Sequence, residues 1–418
     1  MHLCLFEDVH SSNFLPLTYF RPVYDLRCGM LSLRERIVSY LSPKSISLFA
    51  REYLAAVLRE ENPGVEVNHV SANMCLFVNG RTIMNAKLAR QIKKSSGDCL
   101  FACGEQLVAV RLSGENLVMA TSTSYSDAID LSNVKGLDKV EVDATLVSYP
   151  WDLVYANESE LVTDFLLLTK KSKGIAKNAD VHKSVSLVGK KNICIGKGSA
   201  VGAGAVLDAS EGPIFIGSNV RIFPLAVIEG PCYLGEGSLI KVGAKIYGNT
   251  SIGRVCKVGG EVEHSIFHSH SNKQHDGFLG HSYIAPWVNL GAGTTNSNLK
   301  NTYGSVRVHI NGKQVDSGKS FVGMTAGDHV KVGINGTIDT GTVIGPSSNI
   351  YGTSIPPKYI VPFTWGTTGK FSTYDVERAM SVATTVMGRR NVITSESYKQ
   401  LFHYIFDLTS NERINHGN

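Results

Sequence analysis

The sequence predicts an α/β domain followed by a parallel β-helix and a helical tail, and three observations carry that reading. From Ile216 every sixth residue is aliphatic: Ile222, Ile228, Leu234, Ile240, Ile246, Ile252 and Val258 follow without a break, several of them directly before glycine. The first 172 residues alternate strand-like and helix-like patterns. Beyond Pro356-Pro357 the hexads stop and helical spacing takes over. An aliphatic at only each sixth position fits neither a helix of period 3.6 nor a strand of period two. It fits a triangular prism, in which each hexad supplies one flat face, the aliphatic points to the axis, and three hexads close a coil of about 18 residues.

These patterns divide the chain into residues 1–172, 173–355 and 356–418. In the first part, 2–6, 46–50 and 75–78 read as strands, 31–40 and a segment from Arg51 as helices, and 158–170 as an amphipathic helix leading out of the domain. Residues 100–112 and 116–120 read as a hairpin about Ser113-Gly114. In the second part, Val181, Leu187, Ile195, Val201 and Leu207 are earlier, less regular axis positions. The register ends at Val258 and returns at Val332, Ile338, Ile344 and Ile350. Between them, residues 296–320 carry turn signals at Tyr303-Gly304 and Asn311-Gly312 and read as a hairpin thrown out from the prism. The tail has helical spacing over 373–387 and 396–406, with Asp375 and Ser395 as caps. Covering the open end of the prism is its expected role; contact with CoA or a partner through Arg389 and Arg390 is the alternative.

Composition excludes several classes. The formal net charge is +5 and the 41 basic residues are scattered, which argues against a nucleic-acid partner. No stretch approaches 18 apolar residues, and the N-terminus is too acidic and too briefly apolar for a signal peptide, so a cytoplasmic protein with no membrane partner is expected. The eight cysteines include no C-x-x-C pair and read as buried thiols in a reducing compartment. Forty-one glycines suit a repeat with glycine at its corners.

Two stretches carry candidate chemistry. Arg21, Arg27, Arg34 and Arg36 fall in a loop and first helical turns close behind the first strand, where open α/β sheets hold anionic ligands and a guanidinium fork suits phosphate. The alternative is that these arginines pair with Asp25, Glu35 and helix ends. Further on, His264, His268, His270, His275 and His281 lie within 18 residues. A zinc site needs two or three imidazoles at defined positions; His270 and His275 have one spacing found in β-helical carbonic anhydrases, but Leu234 stands where a third ligand is expected. The acid–base reading needs only one histidine. An amine attacks a thioester only when unprotonated, so a neutral imidazole must take its proton, and the developing oxyanion wants a fixed N–H such as a Gly-Ala-Gly loop brings close. His281, His309 and His329 read as structural or solvent-facing.

Leu-Pro-Leu-Thr-x-x-Arg-Pro from Leu15, Leu-Arg-x-Gly from Leu26, Leu-Arg-Glu-Arg from Leu33, and Pro150-Trp151-Asp152-Leu153 with Asn157 resemble the N-terminal domain of sugar nucleotidyltransferases in the compact GlmU-like family. That resemblance implies nucleotidyl transfer to a sugar-1-phosphate, a nucleotide triphosphate, Mg²⁺, and phosphate contacts from Arg21, Arg27 and Arg34. The sequence departs from the wider superfamily at three places. His10-Ser11-Ser12-Asn13 stands for the glycine-rich loop, Val23 for a lysine, and Asn79-Gly80-Arg81 for the Gly-Asp that supplies a metal-binding carboxylate. Asp8, Asp25 and Asp152 are the possible substitutes.

His275-x-x-Phe278-Leu279-Gly280, Asn289-Leu290-Gly291-Ala292-Gly293-Thr294 and Asn298 resemble the active-site coils of the GlmU acetyltransferase domain, a left-handed β-helix. The resemblance implies acetyl-CoA, His275 as general base, and Asn289 and Asn298 on the sugar and its amine. It also implies an Ala292 N–H facing the thioester oxygen, with Gly291, Gly293 and Gly323 beside the cofactor. Phe278 replaces a sugar-contacting tyrosine, and Tyr247 stands where a phosphate-binding arginine is usual, leaving Lys241, Lys257, Lys273 and Arg221 as candidates for the phosphate. A homotrimer with the acyl site between subunits follows from the same resemblance. The competing reading is a non-catalytic scaffold or regulatory protein, as in translation-factor subunits of similar architecture.

Overall fold

The computed structural model describes residues 1–121, 134, 137–170 and 174–415; the expected boundary near residue 172 lies outside them. The N-terminal part is a mixed seven-stranded sheet in the order Asp138–Glu141, Cys99–Cys103, Gln106–Ser113, Met74–Asn79, His2–Phe6, Ser45–Phe49, Glu66–Val67. The central strand His2–Phe6 runs parallel to both neighbours. Its run Leu3, Cys4, Leu5 is fully buried because both faces of the sheet are covered. The covering helices are α1 (Leu33–Leu41), α2 (Ala55–Glu61), α3 (Ala86–Lys94) and α4 (Gly114–Thr121). Helix α1 begins in a capping box, Ser32 accepting from the Glu35 N–H and Glu35 from the Ser32 N–H.

The predicted hairpin turns elsewhere. Cys99–Cys103 and Gln106–Ser113 pair antiparallel about Gly104 and Glu105, with Gly104 at φ +59°, while 114–121 is helical. The earlier glycine takes the turn because it leaves both strands inside the sheet.

The prism follows the hexads. Three parallel sheets form its faces: a first beginning at Asp180–Val181, a second at Ser186–Val188 and a third at Ile193–Ile195. Every residue of the unbroken series from Ile216 to Val258 points to the axis and is buried. The coil does not end at Val258. It continues through Val262, Phe267, Lys273, Leu279, Ile284, Leu290 and Asn296, with some corners shortened, so the six-residue count slips while the chain keeps its three faces. The last first-face strand, Thr364–Thr367, is closed by an antiparallel partner, Lys370–Thr373.

Helix α5 (Pro150–Leu168) is the wedge between sheet and prism, starting well before the expected helix. Asn157, fully buried, accepts from the Gly29 N–H (2.7 Å) and the Ser251 hydroxyl (2.9 Å) and donates to the Asn249 carbonyl (2.7 Å). Further along the helix, buried Asp164 receives Arg36 (2.9 Å) and the Met30 N–H (2.8 Å), and Glu160 also meets Arg36. Two elements depart from expectation here. The hairpin Arg307–Ile310 and Lys313–Asp316 folds back, burying Val308 and Ile310 in a cluster with Trp151. The tail helices α6 (Val376–Gly388) and α7 (Glu396–Leu408) start at the expected caps Asp375 and Ser395 but pack into the N-terminal core through Met380, Phe402 and Ile405. The strand Lys370–Thr373, not the helices, closes the end of the first face, because the apolar stripe of α7 finds Phe20 and Phe363 between the two halves.

Replacing Asn157 with alanine strands the Gly29 N–H and the Asn249 carbonyl, while the Ser251 hydroxyl keeps the Gly29 carbonyl as acceptor, so urea unfolding is expected to lose about 2–4 kcal/mol at unchanged m-value. A midpoint equal to wild type would show that the wedge holds by packing alone.

Candidate functional site

The second face of the prism, between the edge it shares with the first face (the first edge) and its edge against α5, brings together His275, Phe278, Asn298 and the corner Gly291–Gly293. His275 sits on the first edge and is exposed. The corner 291–294 stacks on it, since the Gly293 N–H donates to the Asp276 carbonyl at 3.1 Å. Gly277 makes that approach possible: a Cβ there would meet the Thr294 carbonyl oxygen at 2.1 Å. Gly291 donates to Val332 and Gly293 to Asp276, while the N–H of Ala292 takes no acceptor among the described residues. From His275 the strand Phe278–Gly280 crosses the face. The Phe278 ring and the Asn298 amide both lie against Gly280, where an added Cβ would come within 2.6 Å and 2.5 Å of them.

The backbone ladder of this face is interrupted between these coils. Its ladder stops at Phe278–Gly280, and the pair Thr295–Asn296 and Thr337–Ile338 forms a separate sheet. Side chains span the gap: Phe278 N–H donates to the Thr295 hydroxyl (3.3 Å) and Gly280 N–H to the Asn296 amide oxygen (3.0 Å).

Other candidates lie elsewhere. Asn289 is on the first face beside Asn272 (3.4 Å), which Arg390 also holds (2.8 Å). Arg221 is exposed on the same face, three strands before Asn272. Lys241 shares the His275 edge two coils away, its ammonium over the Phe223 ring. Lys257 stands on the first face between Leu239 and Asn272. Lys273 is no surface ligand: it is 1% exposed, turned into the axis, and donates to the carbonyls of His275 (3.0 Å) and Gly259 (3.2 Å). Burial lowers its pKa to about 8. Gly323 is buried at the opposite edge, where a Cβ would strike the Gly280 carbonyl oxygen, so packing rather than cofactor contact explains it.

The five histidines separate onto all three edges, which removes the His270–His275 metal pair. His268 meets the Asp25 carbonyl (2.9 Å) and His270 stacks on Trp287 (4.3 Å). His264 and His281 stack on each other at 4.6 Å on the α5 edge. There Asn298 donates to Glu263 (3.0 Å) and bonds His281 Nδ1 (3.0 Å), beside a cavity of about 430 Å³ that Tyr155 and Phe321 also line. His281, expected to be structural, and Glu263, not singled out, thus adjoin Asn298. The three groups Glu263, His264 and His281 could converge on a cation, as could His2, Cys4 and Cys75 in the N-terminal sheet. All eight cysteines are free and seven are buried. No single-sequence signal places His281 here; the corner that turns it is set by the coil below.

In the N-terminal domain the expected phosphate-binding arginines are already engaged. Arg21 forks onto Asp328 of the prism, Arg34 pairs with Asp25 (2.7 Å), and Arg27 donates to the Met30 carbonyl. The pairing alternative holds for Arg34 with Asp25. At the ends of the parallel strands, Arg81 binds Asp8 (2.6 Å) and the Val147 carbonyl, and Arg51 binds Glu7 (3.0 Å). Burial would raise the Asp8 pKa, but Arg81 outweighs it and holds it below the ordinary value. Burial raises Asp25 to about 6 against the pull of Arg34. Asp152 caps α5 through the Ser148 and Tyr149 N–H groups. None of the three aspartates fits a Mg²⁺ ligand. No helix is long and apolar enough to cross a membrane among the described residues.

Residues 3–173 match the family model of sugar nucleotidyl transferases. Among curated relatives, the bifunctional sugar-1-phosphate nucleotidylyltransferase/acetyltransferase of Sulfurisphaera tokodaii is 41% identical over 91 residues, 22% of this chain and 23% of that one. The bifunctional protein GlmU of Acidithiobacillus ferrooxidans is 32% identical over 161 residues, 38% and 34% of the two chains. The matches thus span about a quarter to a third of these relatives. Among solved structures, the UDP-N-acetylglucosamine acyltransferase of Francisella novicida covers 52% of this chain and 74% of its own, at 15% identity and TM-score 0.30.

Burial lowers the pKa of both His270 and His281 to about 4, helped by Arg254 and Arg390 for the first and by His264 for the second. The unfolded chain therefore protonates first, and stability is lost as pH falls from about 6.5 toward 4. After allowance for their remaining exposure each contributes about 2 kcal/mol. Unfolding midpoints measured from pH 7 to 4.5 are expected to fall, and less steeply for His281→Gln.

Proposed function

We propose that the chain, a sugar nucleotidyl transferase domain joined to a hexapeptide-repeat β-helix in the manner of a GlmU-like fusion, is a bifunctional enzyme of nucleotide-sugar synthesis, whose prism transfers an acetyl group from acetyl-CoA to the amine of a glucosamine-1-phosphate-like sugar. The observation that carries this reading is the stacking of the His275 corner under the Gly291–Gly293 corner, with the Ala292 N–H unspent beside it. His275 takes the proton of the attacking amine as the C–N bond forms. The Ala292 N–H donates to the oxyanion in this reading, a contact of the kind worth about 2.7–4 kcal/mol in other enzymes. Phe278 offers its ring to the sugar, and Asn298 its amide. Acetyl-CoA supplies the activated thioester; thiolate leaves as the amide forms. His275 faces outward, so a second copy of the chain in a homotrimer is the natural opposite wall.

In a thiol-release assay with acetyl-CoA and glucosamine-1-phosphate, His275→Ala is expected to lose about 100-fold or more in kcat. Equal rates would remove His275 as base.

Nucleotidyl transfer to a sugar-1-phosphate in the N-terminal domain is the second proposed activity. A specific observation favours a non-catalytic alternative for that domain: Arg81 and Arg51 neutralise Asp8 and Glu7 at the strand ends where such sheets bind ligands. Pyrophosphate release from UTP, Mg²⁺ and N-acetylglucosamine-1-phosphate separates the two. Its absence would leave a sugar-phosphate-binding or structural module.

A further inference from the structure

The axis of the prism is lined almost wholly by aliphatic side chains. On the first face the inward column reads Ile222, Ile240, Val258, Lys273, Leu290, Val332, and on the second Ile246, Val262, Leu279, Asn296, Ile338. Each column is interrupted once in these runs, by a residue that such a core disfavours. Both interruptions flank the same coil, His275–Gly280.

Neither side chain is idle. Lys273 Nζ donates to the His275 carbonyl from inside the prism, and also to that of Gly259. The corner beneath it is Gly259-Gly260, and a Cβ on Gly260 would lie 2.8 Å from that ammonium, so the glycine makes the room. At the other end, Asn296 accepts from the Gly280 N–H (3.0 Å) and donates to the Gly280 carbonyl (3.2 Å). It thereby replaces the backbone ladder that stops at this coil. A coil freed from its upper neighbour along one face needs another tether, and a polar residue kept in an aliphatic column is most simply explained by the work it does there.

We infer that Lys273 and Asn296 are positioning residues for the acyl site, clamping the His275–Gly280 coil from within the prism at its two ends. The inference rests on the reading of His275 as the base. Lys273 fixes the peptide that carries the imidazole, and Asn296 fixes Gly280, against which Phe278 and Asn298 lie.

The test uses Lys273→Met and Asn296→Leu, each of which restores an apolar axis. Both are expected to keep the melting temperature within a few degrees of wild type while lowering kcat tenfold or more, with KM for acetyl-CoA and acceptor within twofold. Hydrogen exchange adds a readout that needs no turnover. Amides across 275–280 should exchange at least tenfold faster in both variants, while those of the coil at Ile246–Ile252 should not change. Unchanged exchange, or kcat within twofold of wild type, overturns the clamp. His275→Ala at wild-type rate sinks the base instead, whatever the exchange data show for Lys273 and Asn296.

Discussion

A prism of short flat faces has room inside for one side chain per face per turn, so each inward position must be apolar or fully bonded if water is to stay out. That requirement sets which residues face out, and so decides that His275, Phe278 and Asn289 lie at the surface while Lys273 lies within. It also explains why Lys273 and Asn296 must donate to carbonyls: unpaired, each would be too costly to keep at an axis lined by isoleucine and valine.

A second dependence links the halves. Helix α5 is not a linker but a wall common to both, reaching the N-terminal loop through Asp164 and the prism through Asn157 and Tyr155. Arg21 and Asp328 make a further bridge, and α7 a third through Tyr398 and His329 (2.7 Å). The arginine-rich segment behind the first strand therefore spends its charge on internal partners: Arg21 on Asp328 of the prism, Arg36 on α5 and Arg34 on Asp25. Its spacing looks like a phosphate cradle because buried ion pairs and phosphate sites use the same guanidinium fork.

The prism was legible because its signal is local and repeated: a buried aliphatic at each sixth residue suits a three-faced coil and neither a helix nor a plain strand. The His275, Phe278, Asn289 and Asn298 spacing was legible too, yet it did not tell that Asn289 turns onto a different face from Phe278. The helix caps Asp375 and Ser395 were readable because capping is a property of four successive residues. The role of the helices they start was not, since an apolar stripe says that something is covered without saying what.

The repeat and the helical tail could be read along the chain, because each depends on neighbours in sequence. Folding in three dimensions was needed to spread five closely spaced histidines over three separate edges, to close Arg81 over Asp8, and to turn inward a lysine expected as a phosphate ligand. The physical reason is the corner. One residue more or fewer in a turn rotates everything after it onto another face, and the length of a corner is settled by packing between coils rather than by the residues that form it.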